Sequence, residues 1–120
     1  MADTWLITGC SSGIGRGIAK AALEAGYNVV VTARKPETVT EIAADYPDSS
    51  LVVALDVSSE ESIRSAVAAS VERFGSIDVL VNNAGYGYRS AIEESEWKEI
   101  ERLFQVNCYG PGRLIQEGLP

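Results

Sequence analysis

Residues 8–15 read TGCSSGIG and place three glycines within seven residues, directly after the apolar run WLI. Gly9 lets the chain turn sharply off a strand, Gly13 lets the backbone approach a ligand closely, and Gly15 lets a helix pack tightly on a sheet. The amides around Ser12 then lie at a helix N-terminus, which carries about half a positive charge and suits a pyrophosphate. The alternative is an ordinary glycine-rich turn, so the neighbouring elements decide the interpretation.

The rest of the chain alternates between apolar runs and stretches with helical periodicity. The apolar runs are rich in Val, Ile and Leu without polar alternation, as in strands covered on both faces, and they span 4–8, 28–33, 51–55 and 79–81. Helices are predicted over 14–25, from Pro36 to about Tyr46, from a Ser58–Glu61 capping box to Gly75, and from Ser95 onwards. The sequence therefore predicts one α/β domain, a parallel sheet with helices on both faces.

Composition excludes several function classes. The chain has 120 residues with ten basic and 17 acidic side chains, a formal charge of −7, which disfavours a nucleic-acid or anionic-membrane surface. No apolar stretch approaches the roughly 20 residues that span a bilayer, and the start MADTWLITGC lacks the features of a signal peptide. Two distant cysteines and no histidine argue against disulfides and a zinc site. We therefore expect a cytoplasmic protein without a metal.

Four motifs together resemble the classical short-chain dehydrogenases/reductases. They are Thr8-Gly9-x3-Gly13-x-Gly15, the pair Asp56-Val57 after the third strand, NNAG at 82–85 after the fourth, and Asn107 within FQVNCYG. They follow the family's order and approximate spacing over essentially the whole chain. The resemblance implies a Rossmann-type fold, of which about the first four β-α units are present, and an oxidoreductase that uses a nicotinamide dinucleotide.

The resemblance also implies roles for single residues. In that family the carboxylate equivalent to Asp56 accepts from the adenine amino group, and the amide of Val57 reaches a ring nitrogen. Asn82 ties strands together, and the backbone after it lines the adenosine ribose. A turn cap at Asp56 and simple turn-forming asparagines are the alternatives. Outside the second strand, the predicted cofactor-binding residues are Gly9, Ser11, Ser12, Gly13, Ile14, Gly15, Asp56, Val57, Asn83, Ala84 and Gly85.

The end of the second strand, VVVTARKP, bears on the choice of cofactor. NAD enzymes usually carry an acidic residue there, which accepts from the ribose 2′-hydroxyl. This chain has Ala33 followed by Arg34 and Lys35, so no carboxylate repels a 2′-phosphate and Arg34 can bind one. At Ser12 this chain departs from many NADP-preferring members of the family, which carry a basic residue at that position. The prediction is NADP(H) rather than NAD(H), with surface solubility as the alternative role of Arg34.

Catalysis in the family depends on a serine and on a tyrosine followed four positions later by a lysine. None of the five tyrosines here is followed by lysine at that spacing, and the pair Tyr109 and Arg113 imitates it only superficially. The resemblance gives Asn107 a catalytic role, holding a water in a proton relay. Its alternative is a polar side chain satisfied by a helix carbonyl. We expect residues 1–120 to be the dinucleotide-binding N-terminal portion, without the catalytic portion and inactive alone.

The expected function is the NADP(H)-binding part of an enzyme that interconverts a small-molecule alcohol and a ketone or aldehyde. The alternatives are a non-catalytic nucleotide-binding or protein-interaction module and a scaffold without a ligand. The stretch VLVNN at 79–83 would offer an unpaired, apolar sheet edge, so we expect a homo-oligomer or association with a missing half. Gly110, Pro111 and Gly112 oppose continuation of the last helix. Tyr86 and Tyr88 hint at one wall of a substrate site.

Overall fold

The structure, a computed structural model, describes residues 2–85 and 96–118. Strands and helices alternate along the chain, as the sequence predicted. The elements are β1 (Thr4–Ile7), α1 (Gly13–Glu24), β2 (Asn28–Ala33), a 3-10 turn (Pro36–Thr38), α2 (Thr40–Ala43), β3 (Ser50–Ala54), α3 (Glu60–Phe74), β4 (Val79–Val81), α4 (Trp97–Phe104), a π-helical segment (Gln105–Tyr109) and α5 (Gly110–Gly118). The predicted cap Ser95 and the tyrosines Tyr86 and Tyr88 lie outside the described residues.

The four strands form one parallel sheet in the order β3-β2-β1-β4. The chain runs outward from β1 through β2 to β3 and then crosses back to place β4 on the other side of β1. Ligands of open α/β sheets bind outside the carboxyl ends of the strands, where the strand order reverses. The predicted Rossmann-type sheet is thus confirmed, and the glycine loop after β1 lies at its switch point. β4 lies at an edge of this sheet, and association through that edge stays a prediction.

Both faces of the sheet are covered, which explains why its strands read as continuous apolar runs. On one face, Ile7 and Val31 pack in a core with Leu23 of α1 and Ile42 of α2. On the other face, the buried core residues come from β1, β2, the end of β3, α3, the π-helical segment and α5: Leu6, Val30, Leu55, Val57, Ile63, Ala66, Val106 and Leu114. No helix among the described residues is long and apolar enough to cross a membrane.

Two predicted helices differ in their details. The helix expected from Pro36 to Tyr46 is a 3-10 turn followed by the single turn of α2, separated by Val39, whose side chain is buried and whose φ is −122°. The cap of α3 is Ser59 rather than Ser58: the Ser59 hydroxyl accepts from the Ser62 amide at 3.2 Å. Gly75 ends α3 with φ of 90°, as predicted.

The last helix continues where its glycines were expected to oppose it. The π-helical segment joins α4 to α5, and α5 includes Gly110, Pro111 and Gly112. A Cβ on Gly110 would overlap the backbone carbonyl of Val57. The cost of glycine in a helix, about 1 kcal/mol, is offset here because its lack of a side chain lets the helix pack directly on the loop after β3. Leu114 is fully buried behind it.

Candidate functional site

A cavity of about 900 Å³ opens at the carboxyl ends of the four strands. Five parts of the chain contribute to it: the β1–α1 loop, the ends of β2 and β3, the residues after β4, and α4 with the π-helical segment. Its lining residues are Gly9, Ser11, Ser12, Gly13, Ile14, Ala33, Arg34, Lys35, Thr38, Leu55, Asp56, Val57, Asn83, Ala84, Gly85, Arg102 and Val106. The structure thus brings eleven of the twelve predicted cofactor-binding residues to one cavity, all except Gly15.

The β1–α1 loop exposes backbone to this cavity. Gly9 and Gly13 have φ values of 67° and 60°, in the left-handed region that favours glycine. A Cβ added to Gly13 would meet nothing within 4 Å, so the space beside this residue is open. Ser12 precedes α1 in extended conformation, and its side chain does not cap the helix. The first turn of α1 therefore presents its partial positive charge to the cavity.

Gly15 lies beneath the loop instead of in the cavity. A Cβ on Gly15 would overlap the Gly9 carbonyl oxygen and the Asn83 side-chain amide. Its role is to let α1 pack closely on β1 and on the residues after β4, which is the packing role read from the sequence. Gly15 does not line the cavity, because the position of its missing Cβ faces the Gly9 carbonyl and the Asn83 side chain; whether it contributes to cofactor binding through this packing stays a prediction.

Thr8 joins β1 to the residues after β4. Its hydroxyl oxygen accepts from the amides of Asn83 at 2.9 Å and Ala84 at 2.8 Å, and it donates to the Val81 carbonyl at 3.4 Å. The Asn83 side chain donates to the Gly9 carbonyl at 3.2 Å. We call these contacts of Thr8 and Asn83 the Thr8 clamp.

The Thr8 clamp corrects the prediction that Asn82 ties the strands together. Asn82 is exposed, and the next residue makes the link. The sequence did not single out Thr8 as more than the start of the glycine motif. Its signal was a hydroxyl at the end of a buried strand, which needs hydrogen-bond partners once buried.

Asp56 lies at the end of β3 with its carboxylate half-buried. Its Oδ1 accepts from the Ser58 hydroxyl at 2.6 Å and from the Ser58 amide at 3.0 Å. The Ser58 hydroxyl lowers the pKa of Asp56 most, and the Ser58 amide and the positive charges of Arg34 and Arg102 lower it further, against the effect of burial. Asp56 therefore both caps the turn after its strand and presents an ionised carboxylate to the cavity.

Three cations surround the outer end of the cavity. Arg34 and Lys35 follow β2 and Arg102 projects from α4, and we call these three residues the cationic rim. The 3-10 turn holds the rim beyond β2, since the amide and hydroxyl of Thr38 both donate to the Lys35 carbonyl, at 3.0 and 2.7 Å. The rim concentrates positive charge in a chain of formal charge −7. This arrangement attracts an anionic ligand.

Asn107 lies in the π-helical segment, next to the cavity. Its Oδ1 would be 2.9 Å from a Cβ on Gly85, so the two residues nearly touch. Tyr109, in the same segment, packs its ring on Phe104 with centroids 6.4 Å apart, while Arg113 donates to the Gln105 side chain at 3.3 Å. Single π-helical turns are frequent at functional sites.

Cys10 lies inside the glycine loop but is fully buried. Burial raises the pKa of its thiol to about 11, so the group is protonated near neutral pH. Its amide donates to the Thr32 carbonyl at 2.9 Å and its thiol to the Ile7 carbonyl at 3.3 Å. Cys10 therefore fastens the loop to β1 and β2 and takes no part in the cavity.

Comparison with known proteins agrees with this architecture. The short chain dehydrogenase family model matches residues 3–120. The chain belongs to the short-chain dehydrogenase family. An oxidoreductase of Botryotinia fuckeliana, BOA17, is 40% identical over 100% of this chain, which covers 44% of that protein. This chain spans about half the length of the curated relatives it matches.

Solved members of the family superimpose closely on the chain. A 3-ketoacyl-(acyl-carrier-protein) reductase from Brucella melitensis, complexed with NADH, is 36% identical with a TM-score of 0.88, covering 96% of this chain and 48% of its own. A metagenomic short-chain oxidoreductase in complex with NADP is 30% identical with a TM-score of 0.91, covering 98% and 55%. A nicotinamide cofactor is thus common to these relatives, in either form.

Proposed function

We propose that this chain binds NADP(H) as the N-terminal part of an oxidoreductase that interconverts a small-molecule alcohol and a ketone or aldehyde. The observation that carries the proposal is the single cavity that joins the glycine loop, the cationic rim and the carboxylate of Asp56. These are the groups that a pyrophosphate, a 2′-phosphate and an adenine base require, respectively. The family membership supports the reaction class.

The glycine loop suits the pyrophosphate. The open space beside Gly13 leaves room for a phosphate close to the backbone, and the Ser12 side chain does not cap the N-terminus of α1. In the Thr8 clamp, the Asn83 side chain donates to the Gly9 carbonyl and so fixes the position of the turn relative to β1. A ligand that meets a preformed loop loses less free energy to ordering the protein.

The rim supports NADP(H) over NAD(H). Solved relatives bind either cofactor, so the argument rests on this chain's own residues at the end of β2. Ala33 offers no carboxylate to a ribose 2′-hydroxyl, and the guanidinium of Arg34 can form a bidentate contact with a 2′-phosphate.

Asp56 suits the amino group of adenine. Ser58 donates to one carboxylate oxygen of Asp56, Oδ1. The second oxygen, Oδ2, is then the acceptor we assign to the base, with the amide of Val57 beside it as a donor to a ring nitrogen. Both residues line the cavity at the end of β3.

The bound cofactor would supply the nicotinamide ring that gives or accepts the hydride. Among the described residues, Asn107 is the side chain that we assign to holding a water for proton transfer, supported by its place beside Gly85 at the cavity. The substrate alcohol or carbonyl, and an oligomeric assembly, belong to our proposal for the complete enzyme. We place that enzyme in the cytoplasm, because neither cysteine is in a disulfide.

Calorimetric titration with NADP⁺, NAD⁺ and adenosine 2′,5′-bisphosphate tests the proposal. We expect NADP⁺ and the bisphosphate to bind, and Arg34→Ala to weaken both by about 10- to 100-fold, the worth of a charged hydrogen bond. NAD⁺ binding should change little. Arg64→Ala is the matched control, because Arg64 is an exposed arginine on α3 that pairs with Glu60 and Glu117 and does not line the cavity. An equal loss for NAD⁺ would contradict the assignment of Arg34, and no binding by the unmodified protein would reject the proposed function.

A further inference from the structure

Arg102 is the member of the cationic rim that the sequence motifs leave without a role. It lies on α4, four residues before Val106, and both side chains line the cavity. Val106 belongs to the π-helical segment that continues α4, so α4 and this segment together form one wall of the cavity. Arg102 is exposed, and its guanidinium forms no hydrogen bond or salt bridge with residues 2–85 or 96–118.

The wall that carries Arg102 belongs to the β3 side of the cavity. Val106 packs in the same core as Leu55 and Val57, and the glycine that begins α5 touches the Val57 carbonyl. Arg102 lines the same cavity as Leu55, Asp56 and Val57, and its positive charge helps to lower the pKa of the Asp56 carboxyl. Arg34, which follows β2, lines the cavity as well, and its charge helps to lower the same pKa. Two arginines therefore line the cavity in which an adenine base would meet Asp56.

The two arginines differ in what they can reach. Arg34 follows the strand that bears the ribose-recognition position, whereas Arg102 comes from a helix beside the residues proposed to meet the base. A planar guanidinium stacks favourably on an aromatic face. Resting on the proposed function, we propose that Arg102 is a positioning residue for the adenine base, covering the ring while Asp56 accepts from its amino group.

This role makes a specific prediction about selectivity. NADP⁺ and NAD⁺ share the adenine base and differ at the 2′-phosphate. Arg102→Gln should therefore weaken the binding of both by the same factor, about 3- to 10-fold for a cation on an aromatic ring. The ratio of the two affinities should stay as in the unmodified protein. Arg34→Ala, in contrast, should lower that ratio.

Lys98→Gln is the matched control. Lys98 lies one turn before Arg102 on the same helix, is also exposed and carries the same charge, but it does not line the cavity. Its substitution should change either affinity by less than about twofold, since an exposed charge away from the ligand is screened by salt. Equal thermal unfolding midpoints for all proteins show that the helix is intact.

The titrations separate the possible outcomes. A loss at Arg102→Gln confined to NADP⁺ would assign Arg102 to the 2′-phosphate and overturn the inference. Equal losses of affinity for Lys98→Gln and Arg102→Gln would show that any positive charge on α4 has the same effect, and would overturn the inference as well. Binding of NADP⁺ that Arg102→Gln leaves unchanged would reject the inference alone. Failure of the unmodified protein to bind either dinucleotide would reject the proposed function itself.

Discussion

The two ends of the cavity differ in the length and burial of the groups that line them. At the inner end, the Thr8 clamp and Gly15 are short, mostly buried groups, and hydrogen bonds between side chains and backbone join β1 and its loop to the residues after β4. At the outer end, the cationic rim consists of long, exposed side chains. Ordering a long side chain costs up to about 2 kcal/mol of rotamer freedom, whereas the inner end is ordered before a ligand arrives.

Because of this difference, we expect the inner end to determine the stability of the fold and the outer end to determine the choice of dinucleotide. Changes at the inner end should destabilise the fold itself, because the groups there also join the strands. Changes in the rim should leave folding intact and alter which dinucleotide binds, as the Arg34 and Arg102 variants test. The largest effects on stability are therefore expected at the inner end.

Gly15→Ala should produce the largest effect. The added methyl group would overlap the Gly9 carbonyl and the Asn83 amide, neither of which can move without breaking the Thr8 clamp. We expect the free energy of unfolding to fall by about 3 kcal/mol, near the upper end of overpacking costs, as measured by urea denaturation.

Gly17→Ala is the matched control for Gly15→Ala. Gly17 lies two residues further in the same helix, and a Cβ there would meet nothing within 4 Å. This substitution should instead stabilise the protein by about 0.5–1 kcal/mol, because alanine favours helix. Equal free energies of unfolding for the two variants would contradict the close packing of α1 against the Gly9 carbonyl and the Asn83 side chain.

Thr8→Val should have the next largest effect. Valine keeps the shape of threonine but removes the oxygen that accepts from the Asn83 and Ala84 amides. Leaving buried donors unpaired costs about 1–3 kcal/mol, so we expect a loss of about 2 kcal/mol in the free energy of unfolding. Thr8→Ser retains the hydroxyl and should recover most of the loss. A valine variant as stable as the serine variant would contradict the Thr8 clamp.

The architecture and most of the cavity could be predicted from the sequence because their signals are local. Glycine spacing and apolar runs depend on near neighbours in the chain, so the loop, the strands and their parallel order followed from them. The direction of a side chain does not. Asn82 and Asn83 are adjacent and chemically identical, yet only the backbone path after β4 decides that Asn83 makes the link. Ser58 and Ser59 exchange roles for the same reason.

Contacts between distant parts of the chain were also missed. Arg102 and Asp56, 46 positions apart, line one cavity because the elements after α4 pack on the loop after β3: Val106 packs with Val57, and Gly110 of α5 contacts the Val57 carbonyl. No local pattern reports that packing. The glycines of α5 illustrate the converse, since their propensity argues against a helix while their lack of a side chain permits the contact that places it.

Asp56 lines the cavity between its two ends. Its substitution should have the smallest effect on the free energy of unfolding. Because its pKa is lowered in the folded protein, its ionised form contributes stability above its ordinary value of 3.8, and that contribution is lost as the pH falls through the lower folded-state value. Asp56→Asn cannot ionise and should lack this term. The difference in unfolding free energy between the two proteins should therefore narrow as the pH falls from about 6 to about 3, measured by urea denaturation at each pH.

The carboxylate of Asp56 interacts with both the turn after β3 and the cationic rim. Its interaction with Ser58 is local to the turn after β3, whereas its interaction with Arg34 and Arg102 crosses the cavity. Salt screens the interactions between exposed charges, whereas it weakens a direct hydrogen bond much less. Raising the salt concentration should therefore leave most of the pH-dependent difference between Asp56 and Asp56→Asn in place. A difference that disappeared in salt would assign the lowered pKa to the cationic rim and not to the turn.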